Sequence, residues 1–282
     1  MNRFFIITNH SKDPGLTVTN SIAAYLKDHQ AEVSIREPRG LGAARHTGPE
    51  EVPEGTECIL VLGGDGTLMR AAGDLVTLGI PLLGINLGTL GYLAEIDRNS
   101  VYVALDALLQ DRYQTEERMM LHGDVWHEGK IIYSNRVLND ILVIRDGTPH
   151  VMSIRNYVND KYLNEYRADG LIVSTPTGST GYSLSAGGPI IAPQAELFLL
   201  TPLAAHTLNA RSVILPVESR IRIVVGPGRD NTTEHALATF DGESNVPLIT
   251  GDYVEIRKAE KSVQILKIQD DSFLEILRRK IR

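Results

Sequence analysis

Along the first part of the chain apolar residues come in two rhythms. Short, mostly apolar runs at 3–8, 31–35, 59–62 and 81–86 alternate with stretches whose apolar positions fall three or four apart, as Val18, Ile22, Ala23 and Leu26 do within 17–29. Runs of that length bounded by Gly or Pro fit strands buried on both faces of a parallel sheet, and the second rhythm fits helices packed on it. Further helices are predicted at 68–75 and 101–109, and the Gly- and Pro-rich 38–53 reads as a loop. Strands alternating with helices predict an α/β domain with a parallel sheet.

Past residue 113 the pattern changes to short alternating segments. Runs at 121–127 and 130–133 flank Glu128-Gly129, and runs at 151–158 and 161–166 flank Asn159-Asp160, two hairpin signals. Strands are also predicted at 212–216, 220–225, 236–240, 253–257 and 262–268, so 118–269 is expected to be a β-rich, sandwich-like domain after an α/β domain at 1–117. Helical spacing returns at 272–282, with Phe273, Leu277 and Ile281 on one stripe and Arg and Lys crowding the end that the helix dipole favours for cations.

Candidate chemistry gathers where apolar runs meet glycine. The run Ile59–Leu62 enters Gly63-Gly64-Asp65-Gly66-Thr67, and the run ending at Asn86 enters a loop with Gly88 and Gly91. Glycines let backbone turn sharply and approach a ligand, and amides at a helix start favour an anion. Thr67 is expected to cap the helix that follows. Asp65 then stands as an acid at a phosphate site; the plainer alternative is a tight turn with a solvated carboxylate. In parallel sheets ligands collect at the carboxyl ends of strands, where both loops sit. A second dense stretch, 169–189, sends an apolar strand into a loop full of hydroxyls and glycines, suited to ribose hydroxyls, phosphate oxygens and a purine edge, with Tyr182 available to stack on a ring. Its tyrosine, its prolines and the preceding strand argue against a flexible linker. Asn139-Asp140 interrupts an apolar strand, and such a pair must find partners in a ligand or in an internal hydrogen-bond network. His206 stands in a loop-like setting, where a structural role competes with a ligand role.

The chain has 282 residues, 43% of them hydrophobic, enough for two domains. The net charge of −7 comes from interspersed charges without a long basic run, so nucleic acid is not an expected partner. Cys58 is the one cysteine, which leaves no internal disulfide and no cysteine-based zinc site, and the eight histidines show no metal spacing. No segment nears the ~20 apolar residues of a membrane span, and 1–7 lacks the features of a signal peptide; the cytoplasm is the expected location and a membrane is not an expected partner. A Walker P-loop, Gly-x-Gly-x-x-Gly after the first strand, the protein-kinase set and Gly-x-Ser-x-Gly are all missing.

Gly63-Gly64-Asp65-Gly66-Thr67 resembles the signature shared by NAD kinases, diacylglycerol and sphingosine kinases and, loosely, phosphofructokinases. Asn86-Leu87-Gly88-Thr89-Leu90-Gly91-Tyr92-Leu93 narrows this to NAD kinases, with Tyr92 where Phe is common. Asn139-Asp140 is similar to that family's Asn-Glu pair, with Asp one methylene shorter. Asp169-Gly170, Thr177-Gly178-Ser179-Thr180-Gly181-Tyr182-Ser183 and Thr201-Pro202-Leu203-Ala204-Ala205-His206 complete the match, Gly181 standing where Ala is frequent. The resemblance implies an α/β domain, a β-rich domain and a last helix, 270–282, returning to the first. It implies a phosphotransferase that converts NAD to NADP at the adenosine 2′-hydroxyl, with ATP or polyphosphate as donor and Mg²⁺ carried on the nucleotide, working as a homodimer or homotetramer. Asp65 would be the catalytic base, with Gly66, Thr67 and Arg70 on the donor phosphates. Asn86, Tyr92, Asn139, Asp140, Thr177, Thr180, Gly181, Tyr182, Ser183, Ser185, Ala204 and His206 would belong to the nucleotide and substrate site, with Asp169 at the far ribose or nicotinamide and Arg167 pairing with a phosphate. The alternatives are a lipid or sphingoid-base kinase, which would need a deep apolar acceptor pocket, and a dinucleotide sensor, which would need no base.

Overall fold

The computed structural model describes the chain except residues 38–45, 89–90, 95, 148–149, 207–209, 269–272 and 281–282. It divides into two compact units, Met1–Arg118 with Lys261–Arg282, and Met119–Glu260. In the first, β1 (Arg3–Thr8), α1 (Thr17–Asp28), β2 (Glu32–Ile35), β3 (Cys58–Gly63), α2 (Asp65–Leu75), β4 (Leu82–Asn86), α3 (Val101–Leu109) and β5 (Gln114–Arg118) follow one another. Strands β1 to β4 lie in the order β2-β1-β3-β4, every pair parallel. All six residues of β3 and all five of β4 are buried, as helices on the sheet require of central strands. Ile22, Leu26, Leu60, Leu62, Leu83, Ile85, Leu105 and Leu108 share the core. Burial of a Leu or Ile side chain contributes about 1.5–3 kcal/mol, so this cluster fixes where the strand ends fall.

The second unit contains β6 (Leu121–His127), β7 (Lys130–Val137), β8 (Asp140–Arg145), β9 (Met152–Val158), β10 (Lys161–Ala168), β11 (Gly170–Ser174), the single-turn α4 (Tyr182–Ser185), β12 (Leu197–Leu203), β13 (Val213–Pro216), β14 (Ile221–Val225), β15 (His235–Phe240), β16 (Ser244–Ile249) and β17 (Tyr253–Lys258). Among the described residues they form two antiparallel six-stranded sheets, β10-β9-β14-β17-β6-β7 and β13-β12-β11-β8-β15-β16. Val125, Ile154, Ile223 and Val254 of one sheet meet Ile141, Val143, Val173, Phe198 and Phe240 of the other in one core, which makes the unit a sandwich. Both hairpin turns carry positive φ at each central residue, 47° and 74° at Glu128-Gly129 and 50° and 61° at Asn159-Asp160, the geometry that matches strand twist.

The chain then returns to the first unit through β18 (Val263–Lys267), followed by α5 (Phe273–Lys280). Strand β18 pairs parallel with β4 and antiparallel with β5, so the first sheet runs β2-β1-β3-β4-β18-β5 and is mixed. This moves the strand expected at 262–268 out of the β-rich half, where the 118–269 boundary had put it. Its alternation is the same whichever sheet takes it; pairing with strands more than a hundred residues earlier decides. Two other readings change. Asn139-Asp140 does not interrupt one strand: β7 ends at Val137 in one sheet and β8 starts at Asp140 in the other, so the pair forms the corner between sheets. Helix α2 begins at Asp65 after Gly64, so Thr67 is inside its first turn and does not cap it.

Candidate active site

In the first sheet β2 follows β1 to one side and β4 follows β3 to the other, so the chain direction switches between β1 and β3. Loops leaving such a switch point diverge and open a crevice at the carboxyl edge. Three loops meet at that edge. The loop after β1 is tied down by Asn9, whose N–H donates to Leu62 O (2.8 Å) and whose Nδ2 donates to Thr67 Oγ1 (3.3 Å). The loops after β3 and β4 start side by side, Gly63 paired with Asn86 in register and Leu87 N–H donating to Gly63 O at 2.9 Å.

Asp65 joins the second and third loops. Its Oδ2 accepts the Tyr92 N–H at 2.7 Å, and its Oδ1 accepts those of Ala94 and Leu93 at 3.1 and 3.3 Å. A Cβ on Gly91 would stand 2.0 Å from Oδ1, so only glycine admits the carboxylate there. Asn86 is buried and its Oδ1 accepts the Gly88 N–H at 2.7 Å. Gly66 is exposed with open space around it, Thr67 is buried, and Arg70 and Tyr92 are half-buried. The Asp65 and Gly66 amides that open α2 have no intrahelical acceptor and face the edge with the positive end of the dipole, while the Thr67 N–H donates to Gly64 O at 2.9 Å. The arrangement gathers backbone donors for an anion beside one fixed carboxylate. Sequence reading missed Lys12 of the first loop: a Cβ on Gly64 or Gly88 would approach its Nζ to 2.6 or 3.3 Å. The signal was in the strand order, which no local pattern states.

A second group forms in the other unit where the stretch after β11 docks onto the β7–β8 corner. Thr175 N–H donates to Asn139 O (2.9 Å), Thr175 Oγ1 to Leu138 O (2.7 Å), and Gly178 N–H to Thr175 Oγ1 (3.0 Å). A Cβ on Gly178 would lie 2.2 Å from Asn139 O. These contacts bring Asn139, Asp140, Thr177, Thr180 and Gly181 together; a Cβ on Gly181 would lie 3.4 Å from Asn139 Nδ2 and 4.0 Å from Asp140 Oδ2. Tyr182 is 43% exposed, its ring open to a stacking partner, and Ser185 is exposed nearby on α4. Ser183 is fully buried against Thr201 Oγ1 at 3.0 Å and holds the turn in place.

Asp241 was not foreseen at this corner. Its Oδ2 accepts the N–H of Leu138 and its Oδ1 those of Asn139 and Asp140, at 2.9, 2.9 and 3.0 Å. Burial first, and the Asp241 charge second, push the Asp140 carboxyl up to about 7. Burial also raises Asp241, to about 6, against the three amides that favour its charge. The three amides on Asp241 favour its charged form, so of the two Asp140 takes a proton more readily. Near neutrality Asp140 can thus donate as well as accept.

Arg167, Asp169, Ala204 and His206 form a third group. Asp169 N–H donates to Leu203 O and His206 N–H to Arg167 O, both at 2.9 Å, while Arg145 Nε faces Asp169 Oδ1 at 3.2 Å. Ala204 turns the chain with φ 47°. Arg167, Ala204 and His206 are exposed. Asp169 and Thr175 bound β11 at its two ends, roughly 20 Å apart at about 3.3 Å per residue, so the third group is not drawn into the second.

The ATP-NAD kinase N-terminal domain family matches residues 4–113 and the ATP-NAD kinase C-terminal domain family residues 138–268. An NAD kinase of Agathobacter rectalis is 44% identical over 283 residues, spanning 100% of this chain and 99% of that protein. One of Lachnospira eligens is 41% identical, spanning 100% of both. Among solved structures, yeast NADH kinase complexed with NADH is similar with a TM-score of 0.81 at 22% identity, covering 99% of this chain and 86% of that one. An NAD kinase from Archaeoglobus fulgidus in complex with ATP gives 0.77 at 24% identity, covering 99% and 98%. At these identities the two structures speak for the fold.

Proposed function

The chain belongs to the NAD kinase family, and on that premise we propose how its residues divide the transfer of a phosphoryl group from ATP to the adenosine 2′-hydroxyl of NAD, giving NADP. The observation that carries the reading is the carboxylate of Asp65, fixed by three amides at the carboxyl edge of the first sheet beside two glycine turns. A sugar hydroxyl is a poor nucleophile near neutral pH, and a positioned carboxylate that accepts its proton contributes typically ~10²–10⁴-fold. In the step proposed, the 2′-oxygen forms its bond to the γ-phosphorus as the bond to the bridging oxygen breaks, the hydroxyl proton passes to Asp65, and ADP leaves. Gly66, Thr67 and Arg70 hold the donor, with Asn86 shaping the Gly88 turn and Tyr92 lending its amide to Asp65. ATP or an inorganic polyphosphate serves as donor.

Asn139, Asp140, Thr177, Thr180, Gly181, Tyr182 and Ser185 make the dinucleotide site, with Ser183 buried beneath it to hold the turn. Asp140 offers a proton that an ionised acid would lack, and Tyr182 stacks on a ring. Arg167, Asp169, Ala204 and His206 take the remoter ribose, nicotinamide and phosphate. Mg²⁺ would come on the donor's phosphates, because it keeps waters and prefers substrate phosphates, and it would neutralise their charge there.

A homodimer or homotetramer accords with Ile131, Ile132 and Ile214, exposed on the outermost strands β7 and β13. No helix among the described residues is long and apolar enough to cross a membrane, and Cys58 is a buried free thiol, which fits the proposed cytoplasmic location. The direct test incubates the full chain with NAD, ATP and Mg²⁺. NADP is expected, and a lack of any NADP with either ATP or polyphosphate would refute the reading.

A further inference from the structure

Lys12 is exposed, and a lysine on a loop is ordinarily a solvated charge. Its placement here is not ordinary. The ammonium lies against the backbone of two glycine turns from different strands, close enough that a Cβ on Gly64 would stand 2.6 Å from Nζ and one on Gly88 3.3 Å. The loop that carries it is held on every side. Lys12 N–H and Asp13 N–H donate to Asn9 O at 2.9 and 3.1 Å, and Arg98 donates to Lys12 O at 3.4 Å. The Asp13 carboxylate is itself occupied by the N–H groups of Val18 and Thr19 and the Thr19 hydroxyl. Asp65, the acid of the neighbouring turn, is turned toward the amides of Tyr92, Leu93 and Ala94. Among the described residues no carboxylate pairs with the Lys12 ammonium. A cation is thus placed where the two loops of the β1/β3 switch point part, beside the amides that begin α2.

We propose that Lys12 is a positioning residue for the phosphoryl donor, its ammonium ligating the terminal phosphates across the Gly64 and Gly88 turns. The proposal rests on the donor site assigned above and adds a residue from the loop after β1, so that three loops serve the donor. An ammonium is a compact point charge that suits a phosphate tail, whereas amides alone give direction with little charge. The ligand chemistry is a polyphosphate chain, which ATP and inorganic polyphosphate share. Glycine at both turns follows from the need to let the lysine stem and the phosphates share the same narrow edge.

Lys12→Ala and Lys12→Arg in the full chain test this. Initial rates of NADP formation are measured with ATP varied at saturating NAD, with NAD varied at saturating ATP, and with inorganic polyphosphate in place of ATP. Tripolyphosphate is used as a competitor of ATP. Lys12→Ala should raise the KM for ATP and the tripolyphosphate inhibition constant by the same factor, about 10- to 100-fold for a lost charge-assisted contact. The KM for NAD should stay within about twofold, a smaller change than any lost contact of that class. Lys12→Arg should recover most of the loss, and the thermal midpoint of both variants should match the parent. If polyphosphate is a donor, its KM should move with that of ATP. An unchanged KM for ATP and an unchanged inhibition constant overturn the proposal, as does a KM for NAD that rises as much as that for ATP. A parent chain that forms no NADP refutes the function instead, and tripolyphosphate binding to parent and Lys12→Ala, read by calorimetry, then decides the lysine's role by itself.

Discussion

The glycine loops of the first unit and the sheet corner of the second solve opposite electrostatic problems. At the carboxyl edge of β1, β3 and β4 the donors are backbone amides and the Lys12 ammonium, beside the exposed Gly66 and Gly88. At the β7–β8 corner Asp140, Thr175 and Thr177 are buried, the charge of Asp241 raises the Asp140 carboxyl, and the hydroxyl-rich turn is bonded directly to the backbone of Leu138 and Asn139. The first arrangement suits a highly charged phosphate chain. The second suits a neutral nucleoside, which has to be told apart by shape and by hydrogen bonds that leave no group unpaired. On the proposed assignment, the phosphate chain would meet amides and cations at an open edge, and the nucleoside a corner packed by hydrogen bonds.

The sharpest way to break that comparison is at Asp65, the one side chain in the open site assigned to chemistry. Asp65→Asn should lower kcat for NADP formation by about 10²–10⁴-fold while the KM for NAD stays nearly constant. Near-normal turnover would leave Asp65 with only its loop-holding role. Next comes Gly178, where a Cβ would meet Asn139 O at 2.2 Å. Gly178→Ala should destabilise the chain by about 1–3 kcal/mol, as overpacking against fixed backbone does, and raise the KM for NAD. Gly66→Ala, with open space around it, should leave the thermal midpoint unchanged or slightly higher. Equal effects on the midpoint would erase the distinction between a dense site and an open one.

A further effect concerns pH. Burial raises the Asp140 carboxyl to about 7 and that of Asp241 to about 6, above the usual carboxylate range. The folded chain therefore holds protons that the unfolded chain releases, so this contribution to stability is present below about pH 4 and is lost as pH rises toward about 7. Asp140→Asn should remove much of that fall, and at about pH 8 its thermal midpoint should exceed the parent's by a few degrees. A fall of the same size in the variant would show that the pair does not carry it.

Much of the fold could be read from local pattern. The buried runs at β1, β3 and β4, the two hairpins with their positive-φ turns, and the glycine turns after β3 and β4 follow from spacing and residue type. Other strands could not. Gln114–Arg118 has no apolar alternation, and Ser244–Ile249 carries Asn245 and Pro247; both are strands because a neighbour supplies the hydrogen bonds. The candidate site divides the same way. Asp65, Asn139 and Gly178 stand out as residue types in context, yet the partners that define their state, the amides of 92–94 and the carboxylate of Asp241, come from elsewhere in the chain.

By itself the sequence determined the buried runs, the amphipathic helices and the hairpin turns, where glycine had to stand, and which family of chemistry those residues resemble, because each depends on residues within a few positions. Only the tertiary structure decided that Val263–Lys267 completes the first sheet, that Lys12 lies across Gly64 and Gly88, and that Asp140 shares its burial with Asp241. Strand pairing and burial act through space. The charge state of a buried acid and the neighbours of a loop therefore exist only once distant segments have packed.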